Sequence, residues 1–225
     1  VLLRRIEILG DARAGRTVGT ALVVPGPGLL NATAGLGTAY AASSPVLLVA
    51  GQINRDKLGK QIGILHEVDD QLDVVRPLTK WRRRVLKAAE VPNAVHEAFF
   101  HLRTGRPRPV EIEIPPEALA EAADVELLEP GSFTPPAGDP ADLDRAAAVL
   151  AQAKSPVIWA GGGVISSGAS EPLLALAELL QAPVITTAEG KGAISDRHYL
   201  SLGVPRGPTS AWTPHEPLRE LFLAC

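Results

Sequence analysis

The residues of this chain that could serve chemistry are mostly turn formers set at the ends of apolar runs. Pro25-Gly26-Pro27-Gly28 follows the apolar run 20–24, and Asn31 comes soon after. Such a strand-to-helix turn brings backbone N–H groups to the carboxyl end of a strand, where open α/β sheets bind ligands. No Lys-Ser/Thr follows the glycines, so the turn is not a P-loop. Taken alone, it reads as an ordinary tight connection. A second such place is Gly161-Gly162-Gly163 after the run 156–160, with Thr187 and Gly190-Lys191-Gly192 beyond the next run. Glycines there allow close approach to a phosphate, and equally make a plain turn. The histidines offer less. His66, His96, His101, His198 and His215 show no metal-ligand spacing, and His96 and His101 do not share a helix face. His66-Glu67 is kept as a candidate. Lys80-Trp81-Arg82-Arg83-Arg84 reads as a solvated basic face.

The elements that must position these residues follow from periodicity. A strand over 20–24, a helix over 29–41, a break at Ser43-Ser44-Pro45 and a strand over 46–50 ending at Gly51-Gln52 make one βαβ unit of a buried parallel sheet. Residues 1–19 form a lead-in, and 53–73 a polar loop with a short helix. Asn93 is the expected N-cap of a helix through Val95, Ala98, Phe99 and Leu102, which Gly105 stops. Residues 109–114 alternate with period two, which predicts a strand with one wet face. Prolines at 115, 116, 130, 135, 136 and 140, interspersed with acids, mark a solvated linker. The α/β pattern then repeats, with helices over 141–152 and 172–180 and strands over 156–160 and 183–187. Residues 198–217 read as loop. The helix starting at 218 has no strand after it, so the second domain reads as unfinished. The expected fold class is α/β, with two parallel-sheet, three-layer domains over 1–115 and 141–225 joined by a linker over 116–140.

Composition narrows the class. A net charge of −3 argues against a nucleic-acid partner. No apolar run is long enough to span a bilayer, which argues against a membrane partner. Cys225 is the single cysteine, so a disulfide framework is excluded and a reducing, cytoplasmic compartment is expected. The chain has no methionine and begins with Val1, which reads as a piece of a longer chain or an alternative start codon.

With those residues in view, 26–52 closely resembles the pyrimidine-binding domain of thiamine-diphosphate (ThDP) enzymes of the acetolactate synthase type. The shared features are a Gly-Pro-Gly-x-x-Asn turn, Ala39-Tyr40-Ala41, Ser-x-Pro and a strand ending Gly51-Gln52. Ala12-Arg13-Ala14-Gly15-Arg16, His66-Glu67, Arg76-Pro77, Thr79-Lys80 and Gly105-Arg106-Pro107 fall in the family's order. The second segment resembles the family's Rossmann-like central domain through Gly161-Gly162-Gly163, Ala182-Pro183-Val184 and Thr186-Thr187-x-x-Gly190-Lys191-Gly192. The resemblance implies decarboxylation of a 2-keto acid such as pyruvate and transfer of the resulting two-carbon unit. It implies that Pro25, Gly26, Pro27 and Asn31 line the pyrimidine pocket, with Gln52 facing substrate or cofactor. His66 and Lys80 would stand on the substrate side, in a site shared between two chains of a homodimer or homotetramer. Gly161, Gly162, Gly163, Thr187 and Lys191 would hold FAD or another adenine nucleotide.

Two family features have no counterpart here. The glutamate that activates the aminopyrimidine would fall near Val1 or Leu2, and Glu7, the nearby acid, lacks its flanking pattern, so no catalytic residue is assigned. No Gly-Asp-Gly occurs, only Gly10-Asp11-Ala12 and Gly138-Asp139-Pro140, so the Mg²⁺–diphosphate site is expected in a third domain outside this chain. The expectation is part of a carboligating enzyme, silent as an isolated chain. The alternatives are a non-catalytic nucleotide-binding module, or a structural fragment that needs a partner.

Overall fold

The structure, a computed structural model, describes residue 12, residues 17–134 and residues 136–204. Glu7, the 218–224 helix and most of the Ala12–Arg16 motif lie outside the described residues. The chain divides into two compact units, 1–136 and 137–225.

In the first unit, β1 (Gly19–Val23) leads through the Pro-Gly turn into α1 (Pro27–Ala41) and on to β2 (Val46–Gly51). Pro27 opens α1, where a missing N–H costs nothing. A 3₁₀ turn (Arg55–Lys57) and α2 (Gln71–Val75) interrupt the polar stretch that follows, and β3 is Trp81–Arg84. Next come α3 (Val91–Arg103), β4 (Val110–Ile114) and the short α4 (Pro116–Ala120). The four strands are all parallel, in the order β1-β2-β4-β3. Alternation along the inner strands sends two cores to opposite faces. Leu47, Val110, Ile112 and Ile114 meet Ala94, Ala98 and Leu102 of α3. Val46, Leu48 and Ala50 meet Leu29, Leu36 and Ala39 of α1. At ~25 cal/mol per Å² of apolar area, each buried leucine stabilises by roughly 1.5–3 kcal/mol.

Three expectations need correction. The 109–114 strand has no wet face: Glu111 and Glu113 are both 0% exposed. It lies between β2 and β3 with helices over both faces, so alternation separates two buried sides, not core from water. The basic run is not a free solvated face either. Residues 81–84 form β3 and are half-buried, with Arg83 paired to Glu97 at 2.7 Å and Arg84 to Asp70 at 2.9 Å. Asn93 is not an N-cap. Pro92 sits in the first turn of a helix already begun at Val91, because its ring fixes φ at the helical value.

In the second unit, α5 (Pro140–Gln152) is capped by Asp139, whose side chain accepts from the Ala141 N–H at 2.8 Å. Then follow β5 (Ile158–Ala160), α6 (Gly162–Ser166), α7 (Ser170–Leu180), β6 (Val184–Thr186) and β7 (Ser201–Gly203). These strands form a parallel sheet in the order β5-β6-β7. Its core joins Ala160, Leu173, Ala177, Val184, Ile194 and Leu200. The loop expected from 198 onward thus contains a strand, β7, too short to show a period.

Candidate functional site: the turn after the first strand

The Pro25–Gly28 turn stands at the carboxyl edge of the first sheet, and each glycine is there for a steric reason. Gly26 has φ of +60°, and a Cβ on it would lie 2.6 Å from the His66 carbonyl oxygen. A Cβ on Gly28 would lie 2.6 Å from Val24, and one on Gly51 would lie 2.9 Å from the Pro25 ring. The turn is therefore clamped between the end of β2 and the backbone at His66, itself at φ of +72°. Glu67 folds that loop, accepting from the Gly63 and Ile64 N–H groups at 2.6 and 3.0 Å.

Beneath the turn lies a buried polar cluster. The Gly26 N–H donates to Gln71 Oε1 at 2.6 Å. Gln71 Nε2 donates to the Gly51 carbonyl at 3.1 Å and to Glu113 Oε2 at 3.2 Å. Gln52, 5% exposed, donates to the same Glu113 oxygen at 3.2 Å, and its Oε1 accepts from the Ile53 N–H at 2.7 Å. The other Glu113 oxygen is paired with Arg84, which also reaches Asp70. Opposite charge on the two carboxylates holds the Arg84 guanidinium above its ordinary range, against the cost of its burial.

Of the residues expected at the site, Gly26, Pro25 and Gln52 are thus brought together, with the His66 backbone against them. Pro27 and Asn31 are exposed at the start of α1. Lys80 is elsewhere. It precedes β3, at the amino edge of the sheet, and its ammonium donates to the carbonyls of His101, Thr104 and Arg106 at the end of α3. Gln71, Glu113 and Arg84 escaped the sequence reading. Only the parallel register, which sets Ala50 and Arg84 on either side of Glu113, brings them under the turn.

In the second unit, Gly161–Gly163 follow β5, and the backbone at Ala160–Gly162 packs on the turn after β6, while Gly163 faces open space. A Cβ on Gly190 would lie 2.3 Å from the Ala160 carbonyl oxygen, and Thr187 Oγ1 accepts from the Gly190 N–H at 3.0 Å. Lys191 is paired to Asp196 at 2.8 Å, and both border a cavity of about 500 Å³ beside Ser201–Val204. Close packing of the two turns accounts for Gly190 without a ligand.

The Gly26 N–H is already bonded within the protein, to Gln71, and so is not free to hold an anion. Among the described residues, no group of three or more His, Cys, Asp or Glu is placed to hold a metal. Among those residues no helix is long and apolar enough to cross a membrane.

Two parallel sheets flanked by helices, the first with a clamped Gly-Pro turn at its carboxyl edge, define an α/β protein of the cofactor-binding kind. Comparison with known proteins makes this specific. The family described as "Thiamine pyrophosphate enzyme, N-terminal TPP binding domain" matches residues 9–74. "Thiamine pyrophosphate enzyme, central domain" matches residues 143–215. A probable acetolactate synthase large subunit of Methanocaldococcus jannaschii is 39% identical over 202 residues, which are 87% of this chain and 34% of that protein. An acetolactate synthase of Arthrospira platensis is 37% identical over 201 residues, 87% of this chain and 34% of its own length. A probable 2-ketoarginine decarboxylase of Pseudomonas aeruginosa is 34% identical over 205 residues, 90% of this chain and 36% of its own length. The chain belongs to the thiamine pyrophosphate enzyme family, with the resemblance to acetolactate synthase large subunits read from its sequence. It spans about a third of the length of these relatives.

Proposed function

We propose that this chain supplies the pyrimidine side of a ThDP site in an acetolactate synthase-like enzyme acting on a 2-keto acid such as pyruvate. Residues 1–115 would form the pyrimidine-binding domain, 116–140 the linker and 141–225 part of the central domain, in a cytoplasmic enzyme. The observation that carries the reading is the Gly26 N–H bonded to buried Gln71, which leaves the turn with a proline- and glycine-walled surface in place of an anion nest. When bound, ThDP supplies the carbanion-stabilising chemistry. This chain's residues would hold and orient the ring: Pro25, Gly26 and Pro27 as a wall and Asn31 as a polar edge, with Gln52 beneath them, its amide bonded to Glu113 and to the Ile53 N–H. The site is completed by a partner subunit, in a homodimer or homotetramer, and by a Mg²⁺–diphosphate site outside these residues. FAD on Gly161–Gly163 has no comparable support, because the tight approach of Gly162 to Glu189 is met within the protein.

The experiment is titration calorimetry of the purified chain with ThDP, thiamine and ADP, alongside a pyruvate assay with ThDP and Mg²⁺. Binding of ThDP and thiamine without turnover is expected. Binding of ADP alone would replace this reading with a nucleotide-binding module. Turnover of pyruvate would overturn the claim that the site is completed elsewhere.

A further inference from the structure

We propose that Glu113 is a positioning residue that fixes the orientation of two buried carboxamides, Gln52 and Gln71, and through Gln71 sets the Pro25–Gly28 turn. A carboxylate accepts hydrogen bonds and donates none. Both Nε2 groups reach the same Glu113 oxygen, at 3.2 Å each. Each amide must therefore turn its NH₂ toward Glu113 and its oxygen away. The oxygens then land on backbone donors, Gly26 N–H for Gln71 and Ile53 N–H for Gln52, at 2.6 and 2.7 Å. Flipping either amide would set oxygen against oxygen at Glu113 and N–H against N–H at the backbone.

The second Glu113 oxygen is held by Arg84. Arg84 also binds Asp70 Oδ1 at 2.9 Å, and that oxygen caps α2 by accepting from the Leu72 N–H at 2.9 Å. α2 carries Gln71. The chain of bonds from Glu113 through Arg84, Asp70 and α2 to Gln71 thus closes on itself, and its one outlet to the turn is the Gly26 N–H. Networks of this kind act as a unit in a low-dielectric interior. The consequence rests on the pyrimidine-pocket reading: the network withdraws the Gly26 N–H from any ligand and fixes the wall the ring would meet.

The test is amide exchange by NMR on the full chain without ligand, followed by ThDP titration. In the native protein the Gly26 amide and the Gln52 and Gln71 carboxamides are expected to exchange at least a hundredfold slower than free amides. Rapid exchange at Gly26 would overturn the inference with no variant needed. In Glu113→Gln, Gly26 protection is expected to fall at least tenfold while Leu48 and Val49 of β2 stay protected, and ThDP affinity is expected to fall about tenfold. A merely structural role predicts loss across β2 as well, and that outcome, or unchanged Gly26 protection in the folded variant, sinks the proposal. Native protein that protects Gly26 but fails to bind ThDP would refute the pocket reading and leave the orienting role standing.

Discussion

Both carboxyl oxygens of Glu111 are buried with no hydrogen-bond partner, in register with Leu48 on one side and Arg82 on the other. Burial pushes its pKa up to about 9. The neighbouring Glu113 charge adds to the rise, and Arg84 and Arg82 oppose it. The acid is thus neutral in the folded protein near pH 7, where an unfolded glutamate is charged. The folded state holds the proton more tightly, so this contribution to stability is complete below about pH 4.5 and is lost as pH rises toward about 9. The slope in that window is at most ~1.4 kcal/mol per pH unit. Glu111→Leu is expected to remove the slope and to stabilise at pH 8 by roughly 1–3 kcal/mol, since an apolar side chain leaves no carboxyl group unpaired. Urea titrations of both proteins from pH 5 to pH 9 check it. An unchanged slope would show that other groups set the pH dependence.

The Pro25–Gly28 turn was legible because one dipeptide repeat carries both its functions, ending a strand and starting a helix. Its support was not legible. Gln71 lies in a stretch without apolar period, and β3 carries three consecutive arginines, which no period-two search would take for a strand. β4 showed its alternation plainly, but alternation cannot say whether the polar face meets water or a second helix layer. That is decided by strand order, a property of the whole sheet. Two glycines separate the turn's two constraints. Gly26 has positive φ and a blocked Cβ direction, whereas Gly63 has φ of +75° with nothing within 4 Å of its Cβ position. Gly63→Ala is expected to cost about 1 kcal/mol, from backbone conformation alone. Gly26→Ala adds a clash with the rigid His66 carbonyl and is expected to cost ~3 kcal/mol or more. Equilibrium denaturation of the two variants measures the difference, and equal losses would mean that the loop at His66 yields.

The two units hold separate cores of unequal size. The first covers both faces of a four-stranded sheet with two apolar clusters and adds the Glu113–Arg84–Asp70 network. Among the described residues, the second has one cluster on three strands of three residues each, and α5 contributes no buried residue to it. Leu143 and Val149 of α5, and Trp159 on β5, are exposed at 59%, 70% and 49%. Stability grows with apolar area removed from water, and a small core barely offsets the conformational entropy of its chain. The boundary between the units falls at 136–137, after a largely exposed stretch, 121–134, that has no strand or helix and rests on the first unit through Phe133 against Phe100 and Glu121 on the Ala88 N–H. Cooperativity should therefore break there, and calorimetry is expected to resolve two unfolding transitions. The lower one belongs to the second unit, and limited proteolysis below it should cut first near the 136–137 boundary or beyond 140. With ThDP bound at the proposed pocket of the first unit, only the upper transition is expected to rise, by mass action. A single transition that ThDP shifts as a whole would show that the two units fold as one.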